Sequence, residues 1–186
     1  MTSQLADKII AYRRELHQNP ELSNHEFATT ARLTRWLQEA GIRLLPLALK
    51  TGVVAEIGSG KGPIIALRGD IDALPIDEIA DVPFSSQNRG VMHACGHDGH
   101  TAMLLAAARC LARQPNFSGT LHLIFQPAEE GGGGARVMIE DGLFERFPCD
   151  CVFALHNMPG LPVGKLGFYA GNFMASADTV KITIHG

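Results

Sequence analysis

Three apolar runs in this 186-residue chain each end at a residue able to hold a cation or move a proton. Residues 64–67 run towards Asp70, residues 121–125 towards Glu129 and Glu130, and residues 151–155 into His156. Such short runs of Ile, Leu, Val and Phe read as strands. Helical patterns over residues 101–112 and about 135–141 separate them. Strands alternating with helices predict a layered α/β domain. In open α/β sheets, ligands bind just outside the carboxyl ends of the strands. Three strands delivering donor groups to one edge therefore predict a site at that edge.

The remaining elements fit this plan. Leu5, Ile9, Ile10 and Leu16 fall near one face of a helix over residues 4–18, which Asn19-Pro20 ends. A second helix is expected over residues 24–40, with Asn24 as its cap, Glu26 in its first turn and Gly41 closing it. Strands are expected at 42–47, 53–57 and 63–67. The Gly-rich segment 58–62 predicts a hairpin between the last two. Residues 70–98 carry Pro75, Pro83 and Gly90 and read as a long loop, a length usually kept for function. Residues 165–169 and 179–184 are further short strand candidates, the last reading as a strand cut off mid-course.

The loop ends in the densest chemistry of the chain, Met92-His93-Ala94-Cys95-Gly96-His97-Asp98-Gly99-His100. It offers sulfur, nitrogen and oxygen donors of the kind a divalent transition metal takes. Cys95 and His97 are two residues apart, so a turn would let both reach one ion where a helix would not. Taken alone, Cys95 reads as a small buried hydrophobe and Glu129-Glu130 as a solvated pair. Their setting changes that: Cys95 stands beside His97 and His100, and the two carboxylates lie between Pro127 and four consecutive glycines. Of two carboxylates near one ion, Glu130 can bind it while Glu129 takes a proton from water, whose pKa a cation lowers to about 7. Residues 131–134 would give the backbone room to approach a substrate or to bend. His93 and His100 read as orienting groups, and Asp70 and Asp72 as turn caps. His17, His25, His122 and His185 read as structural or surface residues, Cys110 as core, and Cys149 and Cys151 as without chemistry.

A net charge of −3 with no basic block argues against a nucleic-acid partner. No apolar run reaches the roughly 18 residues of a membrane span. The first residues lack a signal-peptide layout. Four cysteines form no dense disulfide framework. These features predict a reduced, cytoplasmic protein.

His93-Ala94-Cys95-Gly96-His97-Asp98, Pro127-Ala128-Glu129-Glu130 and Ala154-Leu155-His156-Asn157 closely resemble the motifs of the hippurate hydrolase and N-acyl-amino-acid amidohydrolase family. Relatives of that family include plant auxin-conjugate hydrolases and bacterial carboxypeptidases. The segments around Arg14-Glu15-Leu16-His17 and Arg68-Gly69-Asp70-Ile71-Asp72 fit it as well. The resemblance implies a zinc-peptidase-like catalytic domain, a central mixed sheet flanked by helices, over residues 1–178. It implies two divalent ions (manganese, zinc, nickel or cobalt), with Cys95, His97, Glu130 and His156 as ligands and Glu129 as general base. Asp70 matches an acidic position that steadies a metal ligand, with Arg68 where relatives have His. The implied reaction is hydrolysis of the amide bond of small N-acyl amino acids such as hippurate.

Family members are longer chains. The resemblance implies that residues 179–186 begin a lid and dimerisation domain, which supplies an oxyanion-stabilising His, and that a later segment adds one more metal-binding His. On that reading the full-length form is a homodimer or homo-oligomer. The present chain is then an N-terminal part with little turnover, since losing oxyanion stabilisation costs about a hundredfold to a thousandfold. Two alternatives remain at this point: a metal-binding fragment without turnover, and a cysteine hydrolase using Cys95.

Overall fold

The computed structural model describes residues 3–58, 60–114, 116–176 and 180–186. Its elements run α1 (Ser3–Gln18), α2 (Phe27–Glu39), β1 (Arg43–Leu45), β2 (Val53–Gly58), β3 (Ile64–Asp70), α3 (His97–Arg113), β4 (Thr120–Gln126), α4 (Gly134–Glu140), α5 (Leu143–Arg146) and β5 (Cys151–Ala154). The strands form one mixed sheet in the order β1-β2-β4-β3-β5. β2 is antiparallel to β1 and β4, whereas β3 is parallel to β4 and β5.

The predicted hairpin does not form, because β4 lies between β2 and β3. β4 is buried at every position, so both of its faces must be covered and it takes the middle of the sheet. Gly58 and Pro63 instead flank the start of β4. Thr120 donates its amide to the Pro63 carbonyl at 2.9 Å, and a Cβ on Gly58 or Gly119 would strike the facing backbone.

Odd and even residues of β4 face different layers. Leu121, Leu123 and Phe125 pack with Leu16, Leu33, Leu37, Leu104 and Leu105, which belong to α1, α2 and α3. Ile124 packs with Ala66, Met138 and Leu143 on the α4 and α5 side. Each large apolar side chain fully buried this way contributes about 1.5–3 kcal/mol. Thus β3 leads through α3 on one face, and β4 leads through α4 and α5 on the other. The loops leaving neighbouring parallel strands diverge, which opens a crevice at their carboxyl ends.

Local expectations held in part. α1 ends before Pro20 as expected, but Tyr12 joins its buried face and Ile10 stays exposed. Gly41, at φ +70°, follows the end of α2. Asn24 does not cap α2. The Glu21 carboxylate does, accepting from the Ala28 and Thr29 amides at 3.1 and 2.7 Å. α3 starts four residues earlier than its Ala/Leu pattern suggests, at His97. Residues 165–169 and 180–184 form no strand: no partner edge pairs with them. Thr179 lies outside the described residues.

Candidate metal centre

Gly96 carries the local geometry of the site. At φ +83° it is left-handed, and it ends the loop and starts α3 in one step. Cys95 sits on the loop side of it and His97 is the first helical residue, so the two side chains are not on a common helix. β4 brings Glu129 and Glu130 to the same crevice, and β5 brings His156.

The four residues expected as ligands converge. The Cys95 Sγ lies 3.4 Å from His156 Nε2. Donor atoms of Cys95, His97 and His156 all fall within 4.8 Å of one another, as do those of His97, Glu129 and Glu130. His97 Nε2 is 3.6 Å from Glu130 Oε1, 3.9 Å from Glu129 Oε2 and 3.7 Å from Asp70 Oδ2. Ligands at about 2.0–2.3 Å from one ion stand about 3–4 Å apart, so these gaps suit a shared cation. His97 Nε2 is buried and has no hydrogen-bond partner. A buried polar atom left so, facing carboxylates beyond hydrogen-bond reach, is the expected state of a metal ligand without its ion.

The other side of His97 is fixed. Its Nδ1 lies 3.1 Å from Asp72 Oδ1, which puts the proton on Nδ1 and the lone pair on Nε2. Asp72 also accepts from Ser23 Oγ at 2.6 Å and from the Glu130 amide at 3.0 Å. One buried carboxylate thereby orients the imidazole and holds the Glu129-Glu130 turn. This corrects the expectation for Asp70: Asp72 steadies His97, while Asp70 bonds His100 Nδ1 at 2.6 Å and receives Arg68 Nη1 at 2.8 Å. Neither aspartate acts as a simple turn cap. The signal in the sequence was the Asp-x-Asp spacing at the end of β3, which presents two carboxylates to the site from one strand terminus.

The clustered carboxylates set the electrostatics of the crevice. Burial by itself raises the Asp72 carboxyl, yet bonds from His97, Ser23 and the Glu130 and Glu129 amides outweigh it and bring it to about 2. Burial lowers the His97 imidazole, but Asp72, Asp70 and Glu130 overcome this and raise it. Burial, then Glu130, Asp70 and Glu129, push the Cys95 thiol up to about 12. A bound cation would reverse that last effect and hold the thiolate.

Behind α3 lies a second polar group, built around His17, which has a structural role as expected. Asp98 is buried, pairs with Arg13 Nε at 2.7 Å and lies 2.8 Å from His17 Nδ1. His17 Nε2 in turn lies 3.0 Å from Glu78 Oε1. This group ties α1 and the 70–98 loop to the first turn of α3. His93 packs beside it, and neither ring nitrogen has a hydrogen-bond partner. Two of the four glycines serve tight packing: a Cβ on Gly132 would meet the Asn24 amide, and one on Gly134 the Pro127 carbonyl. Cys110 is partly buried in α3, Cys149 is partly buried, Cys151 is exposed, and all are free.

A thiol, imidazoles and carboxylates at the carboxyl ends of parallel strands in a mixed α/β sheet define the class of metal-dependent hydrolases. Residues 66–185 match the model of peptidase family M20/M25/M40, and the chain belongs to that family. It is 51% identical over 186 residues to an N-acetyl-L-cysteine deacetylase of Bacillus subtilis, covering 99% of this chain and 44% of the relative. It is 49% identical over 175 residues to a hippurate hydrolase of Campylobacter jejuni, covering 94% and 45%. The Bacillus subtilis YXEP protein, described as a dinuclear metal-binding peptidase of the M20 family, superposes with a TM-score of 0.84 at 47% identity, over 88% of this chain and 46% of that one. The chain spans about half the length of the curated relatives it matches. Among the described residues, no helix is long and apolar enough to cross a membrane.

Proposed function

We propose that this chain carries the metal-binding half of a site that hydrolyses the amide bond of small N-acyl amino acids, with Cys95, His97, Glu130 and His156 as ligands of two divalent ions and Glu129 as general base. The observation that carries the reading is the buried, unpartnered Nε2 of His97, set among Cys95, His156 and the carboxylates. The names of the relatives supply the substrate class. Manganese, zinc, nickel and cobalt all suit the mixed donor set. When bound, such ions supply charge that polarises the scissile carbonyl and acidifies water.

Glu129 and Glu130 have different surroundings. The Glu130 amide is tied to Asp72 and its side chain is less exposed, at 23% against 39% for Glu129. The freer carboxylate, Glu129, accepts a proton from the attacking water as the oxygen bonds to the carbonyl carbon. It returns that proton to the amide nitrogen as the C–N bond breaks. Cys95 is assigned to metal binding because burial, and after it the neighbouring carboxylates, raise its thiol, the opposite of what a nucleophilic thiolate needs. Residues 1–178 are proposed as the first part of the catalytic unit and 179–186 as the start of a lid and dimerisation domain. The full-length form is proposed to be a cytoplasmic homo-oligomer.

The test is hydrolysis of hippurate and N-acetylcysteine by the chain and by Glu129→Gln, with metal content measured in parallel. Turnover abolished by chelator and by Glu129→Gln, with metal retained in the variant, supports the proposal. Stoichiometric metal without turnover supports a non-catalytic metal-binding role. Turnover that survives both treatments overturns the metal assignment.

A further inference from the structure

His156 is the least supported of the four converging side chains. β5 is the edge strand and pairs with β3 over only four positions, ending at Ala154. Residues 155–157 lie past that ladder and are exposed. What fixes them is a buried side chain of α3. The Asn157 amide donates to His100 Nε2 at 3.0 Å, and the Asn157 side chain lies against the same nitrogen. His100 Nδ1 bonds Asp70 at 2.6 Å, Asp70 receives Arg68 Nη1 at 2.8 Å, and Arg68 Nε reaches Gln126 Oε1 of β4 at 2.8 Å. The loop after β5 is thereby bound through four side chains to the middle of the sheet.

Two further contacts link this anchor to His156. His156 Nδ1 donates to the Asn157 carbonyl at 2.7 Å, which turns Nε2 towards Cys95 Sγ. The Asn157 side chain occupies the space beside Gly96, where a Cβ would stand 2.8 Å from Asn157 Oδ1. The missing side chain between Cys95 and His97 thus admits the residue that follows His156. The His100 and His156 rings meet edge to face, with centroids 4.6 Å apart.

We propose that His100 is a positioning residue: by gripping the Asn157 backbone it sets His156 over Cys95 and His97. The inference rests on the proposed role of those three residues as metal ligands. Partners that orient a ligand from behind change metal affinity by about 10- to 100-fold when removed.

The test is Co²⁺ titration of the 186-residue chain, read by calorimetry and by the near-ultraviolet thiolate-to-cobalt band that reports Cys95. His100→Ala is expected to weaken cobalt binding about 10- to 100-fold while the thiolate band persists at saturation. In a His156→Ala background the same change is expected to cost nothing further, because the ligand it positions is gone. His100→Gln keeps an acceptor for the Asn157 amide and recovers part of the affinity. It carries the comparison if His100→Ala loses its far-ultraviolet circular dichroism. An equal loss in both backgrounds, or no loss in either, overturns the proposal. If the parent chain binds no cobalt, the proposed function falls with it. If cobalt binding follows the expected pattern but Glu129→Gln leaves turnover intact, only the general-base assignment falls.

Discussion

Replacing Asp72 with Asn is the perturbation whose consequences the structure defines most closely. Asp72 accepts from His97 Nδ1, Ser23 Oγ and the Glu130 amide. An Asn of the same shape keeps one acceptor oxygen but turns an NH₂ donor to one of these partners. Facing His97, that donor forces the imidazole proton from Nδ1 to Nε2, the nitrogen that points into the site. Metal affinity should then fall about 10- to 100-fold. The same carboxylate stabilises the metal-free fold. Its pKa drops from 3.8 to about 2, and at 1.36 kcal/mol per unit that is about 2 kcal/mol. Because the folded pKa lies below the unfolded one, the contribution is whole above pH 3.8 and fades as pH falls through about 2. Urea unfolding of chelated protein at pH 7 should show the variant about 2 kcal/mol less stable, with the gap closing between pH 4 and pH 2. Equal stability at pH 7 together with unchanged cobalt affinity would refute the orienting role given to Asp72.

Two more outcomes follow from the same packing. Burial drives the His93 imidazole down to about 4, so between pH 6.5 and about pH 4 the unfolded chain binds a proton that the folded chain does not, and stability falls across that window. His93→Leu should therefore lose about 3 kcal/mol less than the parent between pH 7 and pH 4, measured by urea unfolding at each pH. Gly134→Ala would drive a Cβ into the Pro127 carbonyl at the turn that carries Glu129 and Glu130. It should cost about 2–3 kcal/mol in thermal unfolding and lower cobalt affinity, whereas Gly131→Ala, with nothing within 4 Å of the new atom, should do neither.

The strand and helix alternation was legible because each element writes its own period into its residues. So was the placing of Asp70 at a strand end and of Glu129, Glu130 and His156 just past others, which needs only the ends to be seen. The Cys95-Gly96-His97 turn was legible from a glycine between two donors. Tertiary structure alone decided which strand sits beside which: β4, buried on both faces, enters between β2 and β3 and cancels a hairpin that the intervening glycines favour locally. It also decided the start of α3, since His97, Asp98 and His100 are poor evidence of a helix until Asp72, His17 and Asp70 bond them. The roles of Asp72 and His100 rest on partners 25 and 57 residues away in the chain. Periodicity and capping act over a few residues and leave their mark in composition. A hydrogen bond between distant segments leaves none, because its energy depends on a distance that exists only once the sheet has formed.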